Sequence, residues 1–178
     1  MDYRLERGWR KSLKVEVVEG EVLVKAPKWM SKRTIETFLH KHRDWIEQRQ
    51  KQWQERQRYY YLLGERFERD GEDVKALWME VMERVVVPRA WELARRFEEE
   101  PKAIKISRAK KRWGSCSSKK NINLSYRLAQ LPMELIDYVI IHELCHLTHM
   151  NHSKAFWELV EKRCSNYKTL EERIKKFG

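Results

Sequence analysis

A chain of 178 residues, 42% hydrophobic and 37% charged, is long enough to bury a core in one domain or two small ones. Its 6 Gly and 4 Pro exclude a collagen-like or low-complexity chain, and no apolar run nears the roughly 20 residues of a membrane-crossing helix. The net charge of +11 admits a nucleic-acid partner, an anionic substrate or a well-solvated surface.

Leu13, Val15 and Val17 alternate with polar residues, Glu19-Gly20 supplies a turn, and Val22 and Val24 resume the alternation before Pro27, which predicts a β-hairpin with one buried face. Ser31 is a suitable N-cap for a charged helix to about residue 57, carrying Ile35, Phe38, Leu39, Trp45, Ile46 and Trp53. His40 and His42 are expected to face solvent on it. Residues 59–63 (Tyr-Tyr-Tyr-Leu-Leu) end at Gly64 and read as a strand or loop. Arg56 and Arg58 precede this run, so it can be read as a stacking surface for nucleic acid or, more plainly, as core-facing aromatics. A second helix is expected over residues 72–99, kinked or split at Pro88. Residues 103–107 and 122–126 alternate as strands. Pro132 suits the first turn of a third helix with Leu135, Ile136, Val139 and Ile140 on its apolar face. A fourth helix begins near Ser153, and Thr169 with Glu172 forms a capping-box pattern for a short terminal one.

The third cysteine leaves Cys116, Cys145 and Cys164 unable to pair evenly, so free thiols in a reducing compartment are expected. The start of the chain lacks a signal peptide's apolar stretch, and a cytoplasmic protein without a membrane partner is the expectation.

Residues 142–146, His-Glu-Leu-Cys-His, fall inside the third helical pattern. Side chains four apart project from one helical face, so His142 and His146 can converge on one zinc ion while Glu143 reaches the water side as general base. The plain alternative is two histidines on a polar face with a solvated glutamate. A third ligand is needed, and His149 and His152 are the candidates. On a continued helix His149 would lie about 10 Å along the axis from His142, too far for a shared ion. The chain must turn back, which favours His152, with Asn151 ending the helix in a left-handed conformation. His149 is then a supporting or surface residue. Cys145 points away from the histidine face and reads as a small buried hydrophobe. Tyr126, Arg112 and Tyr167 are candidates for oxyanion stabilisation that no spacing rule selects. Zn2+ suits the ligands, though imidazole also accepts other divalent metals such as Ni2+, Co2+ or Mn2+.

Residues 112–117 (Arg-Trp-Gly-Ser-Cys-Ser), 121–124 (Asn-Ile-Asn-Leu), 142–146 and 151–157 (Asn-His-Ser-Lys-Ala-Phe-Trp) closely resemble the YgjP-like family of predicted zinc metallopeptidases, related to the SprT-like and WLM zincins. The resemblance implies His142, His146 and His152 as metal ligands and Glu143 as the catalytic residue. It also implies an α+β, zincin-like, minigluzincin-type core, with a small antiparallel sheet beside the catalytic helix, an N-terminal β-hairpin and long helices. Residues 112–123 would then border the cleft, with Arg112, Trp113, Ser115 and Asn123 as candidate substrate-binding residues, and the sheet's edge strand could pair with an extended peptide. Metzincins share the spacing from His146 to His152 but place Gly where this chain has His149, so that group fits poorly. A single domain over residues 1–178 is expected, with a hairpin-and-helix part to residue 70 and a metal-binding core from 71.

The leading function is a zinc-dependent metallopeptidase acting on a peptide or protein. From residue 101 to 133 there are nine Lys or Arg and no Asp or Glu. This basic strip, 102–127, also admits a metal-dependent nucleotide phosphoanhydride hydrolase, or a protease associated with nucleic acid. The oligomeric state is not legible.

Overall fold

The computed structural model describes residues 2–177; the Arg56 side chain lies outside the described residues. The chain forms two compact units, residues 1–59 and 60–178, each with its own buried core.

The first unit holds a three-stranded sheet, not a lone hairpin: β1 (Arg4–Gly8), β2 (Lys14–Val18) and β3 (Glu21–Pro27), in the order β1-β3-β2. The turn joining β2 to β3 has positive φ at both Glu19 (52°) and Gly20 (83°), the pattern of a tight hairpin turn with matching twist. A Cβ at Gly20 would come within 2.8 Å of the Trp53 ring, so the bare backbone lets the turn seat on that indole. β1 joins parallel to β3, pairing Arg4 with Leu23 and Gly8 with Pro27. Its sequence, Arg-Leu-Glu-Arg-Gly, puts mostly charge on an edge strand, which leaves almost no period-two hydrophobic signal. The expected long helix is two, α1 (Lys32–Lys41) and α2 (Arg43–Arg58). Ser31 caps α1 by accepting from the Thr34 N–H at 3.1 Å. His42 leaves helical geometry at φ −108°, ψ 19°, with its half-buried ring 4.3 Å from that of Phe38; His40 is exposed. Val22, Val24, Ala26, Ile35, Leu39 and Ile46 form this unit's core.

In the second unit, β4 (Tyr59–Leu62) and β5 (Glu65–Glu68) form a two-stranded ribbon, and Tyr60 stacks on Phe67 with centroids 5.5 Å apart. α3 (Val74–Val81) runs into a π-helical turn at Met82–Val86, and α4 (Val87–Arg96) continues from it. The helix is not split at Pro88. The wider turn comes before the proline, which then sits in the first turn of α4, where its missing N–H breaks no bond. β6 (Ala103–Ser107), β7 (Gly114–Cys116) and β8 (Asn121–Ser125) form the second sheet, in the order β6-β8-β7. This sheet is mixed rather than antiparallel: β6 runs parallel to β8, with Ile104 opposite Ile122, and β7 runs antiparallel to it. A polar three-residue strand such as β7 carries too little pattern to be read from sequence.

α5 (Met133–Cys145) follows Pro132 and is the centre of this unit. Leu135, Ile136, Tyr138, Val139, Ile140, Ile141, Leu144 and Cys145 are all buried, so the helix is apolar nearly all round. It packs against α4, β7, β8, α6 (Lys154–Arg163) and α7 (Tyr167–Lys175). Ser153 caps α6 as expected, accepting from Phe156 N–H at 3.4 Å. The Thr169 box does not form. α7 begins two residues earlier at Tyr167, whose ring stacks on Trp157 at 5.4 Å, and this packing sets the start of the helix. Among the described residues no helix is long and apolar enough to cross a membrane, and Cys116, Cys145 and Cys164 are free thiols.

Candidate metal centre

The hydrophobic burial of α5 carries His142 and His146 to its C-terminal end, one turn apart on the same side. The helix ends at Cys145, because Leu147 N–H bonds to Leu144 O at 3.0 Å and His149 N–H to Cys145 O at 3.0 Å, tightening the last turn. The chain thus leaves the helix well before Asn151, and positive φ among the described non-glycine residues occurs at Glu19, Leu63, Glu98 and Lys120, not at Asn151. The chain turns back, and exposed His152 arrives just before the Ser153 cap. One ring nitrogen from each of His142, His146 and His152 then lies within 4.8 Å of the others. The Nε2 atoms of His142 and His152 are 3.1 Å apart. Two imidazole nitrogens held by one tetrahedral ion at about 2.05 Å would stand about 3.3 Å apart, so this pair already has a zinc-like spacing.

The rings rest on Phe156, which lies wholly buried with its centroid 5.0, 4.5 and 4.8 Å from those of His142, His146 and His152. Trp157 stacks on His152 at 5.6 Å. His146 Nδ1 donates to the carbonyl of His149 at 2.9 Å. A carbonyl can only accept, so the proton belongs on Nδ1 and the Nε2 lone pair is left for a metal. His149 therefore acts through its backbone, a role that a side-chain motif cannot disclose. Burial holds the His142 imidazolium pKa down to about 4, with His146 and His152 adding to the effect. Burial also lowers that of His146, partly offset by its bond to His149. Neutral imidazole is the form that ligates.

Glu143 is 6% exposed, and its Oε2 is buried with no hydrogen-bond partner among the described residues. Burial pushes its carboxyl pKa up to about 8, against the pull of the Arg112 charge. The Glu143 side chain lies close against β7. A Cβ on Gly114 would come within 2.6 Å of both Glu143 Cγ and Oε1 and 2.8 Å of Cδ. Gly114 is thus required by close approach, for which a glycine inside a strand is the available sequence signal.

The other predicted site residues divide. Arg112 is exposed on the loop before β7, and its charge is felt at Glu143. Trp113 is half-buried under the Arg127 guanidinium at 4.9 Å, and its carbonyl accepts from Ser125 N–H. Ser115 and Asn123 face each other across β7 and β8. Tyr126 packs against Trp78, and Tyr167 stacks on Trp157. Cys145 is fully buried, and burial pushes its thiol up to about 11; burial, with Glu143 and Glu99, does the same to Cys116. Both stay protonated near neutrality. The part-buried pair Arg163–Glu99, at 2.6 Å, was not foreseen; Glu99 also accepts from Thr148 Oγ1 at 3.1 Å, beside the turn that supplies the His149 carbonyl.

Two imidazoles from the end of α5 and one from the returning chain converge beside a buried carboxylate, an arrangement that fits a metallohydrolase. Comparison with known families gives the same class: "YgjP-like, metallopeptidase domain" matches residues 11–81 and 68–177, and the chain belongs to the YgjP-like family. Comparison with curated proteins gives no match. Among solved structures, the metallopeptidase zymogen abylysin of Pyrococcus abyssi is similar over 52% of this chain and 93% of its own, at 25% identity and a TM-score of 0.46.

Proposed function

We propose that the chain is a zinc-dependent peptidase whose metal is held by His142, His146 and His152 and whose general base is Glu143. The convergence of three ring nitrogens within 4.8 Å, beside a buried carboxylate oxygen with no partner, carries this reading. A set of three imidazoles suits zinc, which would supply Lewis acidity to a peptide carbonyl and to water. The chain's own residues do the rest. His142, neutral across the physiological range, gives up no proton on ligation. The His149 carbonyl keeps His146 in the ligating tautomer. Glu143 Oε2, in the carboxylate form that a neighbouring cation would favour, accepts the proton of the attacking water and passes it to the leaving amine nitrogen. β7 is an edge of its sheet, and its backbone can pair with an extended substrate. Three free thiols suit a cytoplasmic setting.

The test is a substrate screen with the purified protein, its metal content measured in parallel. Cleavage of casein or peptides that disappears in Glu143→Gln, with zinc still bound, supports the reading. Absence of zinc together with no effect of His146→Ala removes it. Phosphate release from nucleotides that depends on Glu143, with peptides left intact, would replace the peptide by a phosphoanhydride.

A further inference from the structure

The first unit carries a feature that the metal centre does not use. Trp9 and Trp29 are 92% and 76% exposed, the highest values among the described large hydrophobic residues. Burying such a side chain is ordinarily favourable, so two left in water on one small unit call for a partner. They leave the same end of the sheet: Trp9 follows β1, Trp29 follows β3, and these strands are parallel with Gly8 opposite Pro27.

Neither indole hangs on a loose tail. Lys28 N–H bonds to Gly8 O at 3.2 Å, extending the ladder beyond the strands. The Arg7 guanidinium donates to the carbonyls of Pro27, Lys28 and Met30 at 3.4, 3.1 and 2.7 Å, tying down the segment that bears Trp29. The surroundings are cationic. Residues 7–15 and 22–35 contain eight Lys or Arg and no Asp or Glu. Lys14 and Lys25 are held by Glu16, and Lys32 faces Glu36. Exposed Arg10, Lys11 and Arg33 have no acidic partner among the described residues, and Lys28 lies 4.8 Å from the Trp9 ring centre.

We infer that this tip, built from Trp9, Trp29, Arg10, Lys11, Lys28 and Arg33, binds single-stranded nucleic acid. Flat indole faces held among free cations match unpaired bases threaded on phosphates. An acidic peptide would satisfy the charge but leave the indoles unused. A lipid surface would want more aliphatic area than the tip offers, since Leu13 and Met30 are half-buried and Ala26 and Pro27 buried.

The experiment is fluorescence anisotropy of the full chain with a labelled oligothymidylate over a series of salt concentrations. The double substitution Trp9→Ala with Trp29→Ala is expected to weaken binding at least about tenfold, with the salt slope and thermal midpoint unchanged. Replacing Arg10, Lys11 and Arg33 by Gln is expected to reduce the log–log salt slope by about 2. Oligonucleotide binding that neither set of changes affects would overturn the proposal, as would equal affinity for a duplex of the same length. Binding to phosphatidylserine vesicles that needs both tryptophans, without any oligonucleotide binding, would replace nucleic acid by a membrane surface.

Discussion

Alanine at position 114 is the sharpest probe of how the site is built. The added methyl would sit 2.6 Å from two Glu143 atoms and 2.8 Å from a third, whereas carbon atoms rest at about 3.5 Å or more. About 0.9 Å must therefore be found, and a side chain only 6% exposed has little room to yield it. Either β7 lifts from α5 or the carboxylate swings away from its place beside the imidazoles. Overpacking of this kind costs about 1–3 kcal/mol of stability. A displacement of about 1 Å at a reacting group costs on the order of 10²-fold in rate. The expected result for Gly114→Ala is a lower unfolding midpoint in urea and a fall of that order in kcat for peptide cleavage, with zinc content unchanged. Combining it with Glu143→Asp, whose carboxyl is one carbon shorter, should give a stability loss smaller than the sum of the two, with a coupling of about 0.5–3 kcal/mol. Wild-type stability and turnover in Gly114→Ala would refute the close approach.

Loss of Glu99 removes the counter-charge of part-buried Arg163, so Glu99→Ala should cost about 1.5–3 kcal/mol in urea unfolding. A loss below about 1 kcal/mol would show the pair to be dispensable. In the metal-free protein, Glu143 binds a proton up to about pH 8 when folded but only to about 4.5 when unfolded. The folded state thus holds the extra proton, and stability should fall as pH rises toward 8; Glu143→Gln should remove this slope in denaturant titrations above pH 6.5. His142 acts in the opposite sense. Its lowered value means that stability is lost as pH falls from 6.5 toward 4, and His142→Gln should lessen that acid sensitivity. Four cations, Arg108, Lys110, Lys111 and Arg112, crowd the exposed loop before β7, so peptides bearing an acidic residue should be cut faster at low salt. Arg112→Glu should erase that preference, as measured by kcat/KM over a salt series.

Local features were legible in the sequence because short-range rules govern them. Ser31 and Ser153 bond to N–H groups three residues ahead, the Glu19-Gly20 turn needs residues that tolerate positive φ, and the apolar run of α5 extends to the two histidines. Helix rise alone argued that a third ring beside His142 and His146 must come from a returning chain, and His152 is the residue the structure brings there. Other features depend on segments distant in sequence. The pairing of β6 with β8 and of β1 with β3, the π-turn ahead of Pro88, and the start of α7 at Tyr167 are set by what packs against them. The same holds inside the site. The sequence determined which imidazoles and which carboxyl lie along one helix and at what spacing, because a helix repeats by its own bonds. Only the tertiary structure decided that Gly114 makes room for Glu143, that the His149 carbonyl orients His146 and that Phe156 underlies all three rings, because such contacts arise where separate elements are pressed together.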